Sequence, residues 1–99
     1  MSSNKSVRPA TKGELDRLYE ALAELTNPAD VAALLEDMCT IREVEEMSQR
    51  LEVARLLNTR EPYTAITEKT GASATTIARV AKALNYGAGG YLRVLTESP

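Results

Sequence analysis

Residues 63–84 read Tyr63-Thr-Ala-Ile66-Thr-Glu-Lys-Thr70-Gly71-Ala-Ser73-Ala-Thr-Thr-Ile77-Ala-Arg79-Val80-Ala-Lys82-Ala-Leu84. The spacing predicts a short helix over about 63–70, a turn at Gly71-Ala72-Ser73, and a second helix over about 74–85. Two short helices can cross steeply only through a tight turn, which favours a glycine at the bend. Ile66 on the first helix and Ile77, Val80 and Leu84 on the second form a small apolar set that can fix the crossing. Ser73 is placed to cap the second helix, and the residues behind it are small. Thr75, Thr76, Ala78, Arg79 and Lys82 fall off the apolar stripe. This is the layout of a helix-turn-helix, whose second helix can enter a major groove. An ordinary αα-hairpin in a helical bundle is the alternative. Thr67, where such motifs usually carry alanine, and Thr70, where they carry an apolar residue, depart from the common pattern.

Upstream, Thr40 and Glu43 have capping-box spacing and open the longest expected helix, about 41–58. Its apolar positions are Ile41, Val44, Met47, Leu51, Ala54 and Leu57, broadened by Val53 and Leu56. Such a wide apolar arc predicts a central scaffold buried against several neighbours. Thr11 and Glu14 repeat the capping box ahead of Leu15, Leu18, Tyr19, Leu22 and Leu25, giving a first helix over about 11–25. Asn27 caps a further helix that starts at Pro28 and carries Val31, Leu34, Leu35 and Met38. Downstream, Asn58 to Pro62 reads as a turn, and Asn85 to Gly90 as a glycine-rich break before a short last helix over about 91–95. Residues 1–10 are expected to be a flexible arm, 11–95 one domain, and 96–99 a tail. The expected class is all-α, with five to six helices.

Ninety-nine residues make a small domain with a modest core, so pairing with a second copy would bury more. Hydrophobic residues are 43% of the chain, too many for a disordered one, while aromatics are 4% and all tyrosine. No run approaches the ~20 apolar residues of a membrane span, and the polar start from Met1 to Pro9 does not resemble a signal peptide, so the cytoplasm is the expected compartment. With no histidine and one cysteine, Cys39, the chain lacks the commonest general base and any thiolate metal cage. Neither an enzyme, a metal site nor a cofactor is expected.

The net charge of −2 argues against nucleic acid until its distribution is considered. Residues 1–59 hold seven basic and eleven acidic side chains. Residues 60–94 hold five basic ones (Arg60, Lys69, Arg79, Lys82, Arg93) and two acidic ones (Glu61, Glu68). An acidic body with a basic segment can still present a positive face to phosphates.

Beyond these patterns, the run from Cys39 to Leu84 resembles the Trp repressor superfamily, and specifically its YerC/YecD branch. The resemblance is carried by Met38-Cys39-Thr40, by Met47-Ser-Gln-Arg50, by the block from Glu68 to Arg79, and by the ending Leu84-Asn-Tyr-Gly87. It extends to the order of helices over most of residues 11–95. It implies a six-helix protomer in an intertwined homodimer whose two reading heads face successive major grooves. In that pattern the positions matching Ala74, Thr75 and Ala78 meet bases, and those matching Thr76 and Thr64 lie near phosphates. Threonine and alanine methyls can touch thymine methyls but make no bidentate base contact, so water and DNA shape are expected to contribute. Arg79 and Lys82 are expected to contact phosphates.

The resemblance also implies a tryptophan site between two arginines, which match Arg50 and Arg79, with Thr40 at a further pocket position. Here the sequence departs from the pattern. The glycine that leaves room for the indole is Val80, and the nearby serine is Ala83. The site is therefore expected to be vestigial, with Arg50 and Arg79 turned to salt bridges or phosphates and no tryptophan response.

Three further features have plain structural readings. Cys39 is expected to be a small buried hydrophobe rather than a redox sensor. Glu43, Glu45 and Glu46 beside Arg42 and Arg50 read as a solvated, ion-paired face. The glycines at 87–90 lack a following Lys-Ser/Thr and are a hinge rather than a phosphate loop. The functional expectation is a DNA-binding transcription regulator, a repressor rather than an activator because no separate activation segment is visible. The alternative is a homodimeric helical interaction module that kept the fold and lost DNA binding.

Overall fold

A computed structural model of the chain describes residues 8–96. It contains six helices and, among the described residues, no strand: α1 (Lys12–Glu24), α2 (Pro28–Met38), α3 (Ile41–Asn58), α4 (Tyr63–Thr70), α5 (Ala74–Tyr86) and α6 (Gly90–Thr96). The all-α expectation and the helix order hold, and the last helix is one residue longer at each end than the spacing predicts. Contacts divide the chain into two units, Met1–Met38 and Cys39–Pro99. The expected arm over 1–10 and tail over 96–99 lie outside the described residues, apart from Arg8 to Ala10 and Thr96. No helix among the described residues is long and apolar enough to cross a membrane.

In the first unit both helices begin where side chains cover free backbone N–H groups. The Thr11 hydroxyl accepts from the Glu14 N–H (3.1 Å) and the Glu14 carboxylate accepts from the Thr11 N–H (2.9 Å). The same carboxylate is gripped from outside the helix by the Arg8 guanidinium, at 2.9 and 2.7 Å. Asn27 caps α2, its carbonyl oxygen accepting from the Asp30 N–H at 2.9 Å. Leu18, Leu22, Val31, Leu34 and Leu35 are half-buried, Tyr19 and Met38 are exposed, and no residue of α1 or α2 is buried.

The second unit holds the core. Thr40 and Glu43 form the expected capping box at the start of α3. The C-terminal half of α3 supplies Val53, Ala54 and Leu56, which cluster with Ile66 of α4, Ala72 of the turn, and Ile77 and Val80 of α5. Leu57, Tyr91 and Leu95 pack on this cluster from its edge. So α3 is a scaffold against which α4, α5 and α6 all pack, but only over half its length. Towards its N-terminus Ile41 is 77% exposed, and Met47 and Leu51 are also open. The expected burial against several neighbours holds over the C-terminal half of α3 and fails at these positions.

Two backbone details set the path between helices. The α3 C-terminus closes as a Schellman motif, with the Glu61 N–H donating to the Leu56 carbonyl and the Arg60 N–H to the Leu57 carbonyl, both at 3.0 Å. Arg60 supplies the left-handed residue at φ +66° where glycine is usual. At the end of α5, a Cβ on Gly87 would collide with the Ala83 carbonyl, which already accepts the Gly87 N–H at 2.9 Å. The glycine there is a steric requirement.

Candidate nucleic-acid interface

The turn between α4 and α5 is built from its own residues. Gly71 ends α4 at φ +75°, its N–H donating to the Thr67 carbonyl at 2.8 Å. Ala72 is buried beneath the bend. The Ser73 hydroxyl accepts from the Thr76 N–H (3.1 Å) and donates to the Thr76 hydroxyl (3.2 Å), so the expected cap is present. Ile66, Ile77, Val80 and Leu84 are all buried, as their spacing required.

Both departures from the common pattern are accommodated. Thr67 is exposed and needs no close packing. Thr70 is half-buried with its hydroxyl satisfied twice, donating to the Ile66 carbonyl (2.7 Å) and accepting from the Ala72 N–H (3.1 Å). Its carbonyl accepts from the Gln49 side chain at 3.1 Å, which ties the turn to α3. Sequence reading passed over Gln49. A polar residue one turn before Val53, on the buried arc of α3, is the signal that could have found it.

The structure gathers most of the nominated contact residues on one face. Ala74, Thr75, Ala78, Arg79 and Lys82 lie on the exposed arc of α5, opposite Ile77, Val80 and Leu84. Thr64 is exposed in the first turn of the neighbouring α4. Thr76 is half-buried and its hydroxyl is engaged by Ser73, so it is the least available of the set. Among the described residues Arg79 and Lys82 form no ion pair, whereas Lys69 pairs with Glu61, Arg55 with Glu52 and Arg42 with Glu46.

The nominated ligand pocket does not assemble within the unit. Val80 is 3% exposed and belongs to the core cluster. The Thr40 hydroxyl is spent on the α3 cap, and ten residues, about 15 Å of helix axis, separate Thr40 from Arg50. Arg50 and Arg79 are exposed and neither forms a salt bridge among the described residues. Open space of about 520 Å³ lies instead among Leu51, Ala83, Ala88, Gly90, Tyr91 and Val94, with no charged side chain in its lining. Cys39 is half-buried rather than buried.

Six helices, with two short ones joined by a three-residue turn over a shared apolar core, define a helix-turn-helix protein. The family model described as Trp repressor protein matches residues 13–98. The chain is 42% identical over 78 residues to the uncharacterized protein YerC of Bacillus subtilis (strain 168), covering 79% of this chain and 75% of that one. A crystal structure of a TrpR-like protein from Eubacterium eligens ATCC 27750 superposes with a TM-score of 0.83 at 42% identity, over 87% of this chain and 89% of that one. A Trp repressor candidate from Staphylococcus aureus superposes at 0.81 with 31% identity, over 97% and 93% of the two chains. The chain belongs to the Trp repressor family, in the branch that includes YerC.

Proposed function

We propose that the protein is a homodimeric DNA-binding transcription regulator, a cytoplasmic repressor that reads the major groove with α5 and does not respond to tryptophan. The observation that carries this reading is the exposed face of α5. Arg79 and Lys82 stand there without ion-pair partners among the described residues, behind a capped helix start that bears only small side chains. Cations left unpaired in an acidic protein are available to phosphates, and phosphate contacts give affinity that falls steeply with salt.

A second copy accounts for the open apolar positions on α1, α2 and the first half of α3, in keeping with the intertwined dimer that the family resemblance implies. The absence of a tryptophan response rests on Val80. Its side chain fills the core where the family pattern leaves room, and the open space nearby offers an amino acid no charged partner.

The experiment is a duplex-binding titration at several salt concentrations, with and without saturating L-tryptophan. The expected result is salt-dependent binding that tryptophan leaves unchanged. Arg79→Ala and Lys82→Ala should each weaken binding to all sequences and lower the salt slope by about 1 per reading head. Salt-independent or absent binding would favour the interaction-module alternative, for which the acidic balance of the whole chain speaks. A tryptophan-induced gain in affinity would overturn the packing argument.

A further inference from the structure

The reading of α5 as a recognition helix leaves open what it distinguishes, and the inference here rests on that reading. A helix of this motif meets base edges with its N-terminal residues. In α5 those are Ala74, Thr75, Thr76, Ile77 and Ala78. Ile77 is buried, and the Thr76 hydroxyl is held by Ser73. What remains towards a groove is two alanine methyls and the Thr75 side chain, all exposed. None is an amide or a guanidinium, the groups that read adenine or guanine through paired hydrogen bonds. The Thr75 hydroxyl both donates and accepts, so it serves any base and separates none. Arg79 and Lys82 come about 6 and 10.5 Å further along the axis than Thr75, where a helix entering by its N-terminus is leaving the base edges for the backbone.

The one major-groove feature that a methyl-bearing surface can select is another methyl, and thymine alone among the four bases carries one, on C5. We propose that Thr75 is the specificity-determining residue of this protein and that, with Ala74 and Ala78, it selects thymine through its C5-methyl group. The preferred half-site then carries thymine at the positions facing these side chains. Cytosine methylated at C5 substitutes for thymine there better than unmodified cytosine does.

The test begins with selection of bound duplexes from a random library by the full-length protein. Each thymine of the selected half-site is then replaced by deoxyuridine, which removes only the methyl. The expected result is about a fourfold loss of affinity at each contacted position, the value of one buried methyl, with the salt slope unchanged. Thr75→Ser removes the side-chain methyl and keeps the hydroxyl. It should abolish the deoxyuridine effect at its position while the salt slope, which reports an intact reading head, stays as it was. If salt-dependent, sequence-selective binding is found but deoxyuridine is neutral at every thymine, the methyl inference falls and the DNA-binding reading stands. If 7-deazaguanine weakens binding where deoxyuridine does not, the discrimination belongs to Arg79 and the inference is overturned. If no duplex is bound in a salt-dependent way, both readings fall together.

Discussion

Residues 12–38 and residues 41–96 use the same local devices to different ends. In the first region Thr11 and Asn27 cap two helices of 13 and 11 residues, yet no side chain of either helix is buried. In the second region Thr40 and Ser73 cap α3 and α5, and eight apolar residues from α3, α4, α5 and the turn before α5 are buried. Capping contributes about 1 kcal/mol per helix. Helices this short are marginal in water without a packed face. The difference teaches that what starts a helix and what holds it are separate questions: the first region answers the first with its own residues, while its apolar face stays at most half-buried. Within α3 the same contrast recurs, since Val53, Ala54 and Leu56 are enclosed while Ile41 and Met47 are open.

The largest effect that would test this contrast is in the enclosed region. Ile66 is fully buried, and Ile66→Ala should destabilise the protein by about 2–5 kcal/mol at every protein concentration, measured by urea unfolding. A loss under about 1 kcal/mol would show that the core around α4 is not close-packed. Next come the open positions. Tyr19→Ala and Ile41→Ala should each cost about 1–3 kcal/mol if a second copy covers them, and the midpoint of melting should then rise with protein concentration. Near-neutral variants with a concentration-independent midpoint, or a monomer in sedimentation at about tens of micromolar, the range where a chain too small for a large private core should have paired, would break the dimer reading. Arg60→Gly should stabilise the second region by about 0.5–1 kcal/mol by relieving the left-handed residue at the end of α3. Destabilisation by this variant would mean that the arginine side chain contributes more than its backbone costs.

The smallest effect is the pH dependence of the first helix start. The Arg8 guanidinium, helped by the Thr11 N–H, holds the Glu14 carboxyl at about 2 against an ordinary value of 4.5. Because the folded value is depressed, its contribution is fully present above pH 4.5 and is lost as pH falls from there through about 2. The pair is solvent-exposed, so salt should erode it. Carboxyl NMR titration of Arg8→Ala should show Glu14 titrating closer to 4.5, and an unmoved midpoint would remove Arg8 from the account.

What the sequence made legible follows the same division between near and far. The caps at Thr11, Asn27, Thr40 and Ser73 could be read because each side chain bonds backbone only three residues away. Ile66, Ile77, Val80 and Leu84 could be read because helical spacing puts them on facing sides of one turn. The Gln49–Thr70 tie could not, since it joins residues 21 apart. Nor could the exposure of Ile41 and Met47, because an apolar stripe does not say whether its cover comes from the same chain. Arg60 gave no sign of its positive φ, which its residue type does not favour. The contact face was legible as a list of residues, but the engagement of Thr76 with Ser73 emerged only from geometry.

The glycines at 71 and 87 would leave different traces in a lineage of drifting genes. Gly71 has open space around its missing Cβ and needs only a left-handed backbone, so asparagine could hold the site for a time at modest loss. Gly87 faces the Ala83 carbonyl, and every L-residue carries the atom that would strike it. Position 71 can be left for asparagine and regained, two base changes each way, whereas position 87 behaves as a fixed letter for as long as α5 ends where it does.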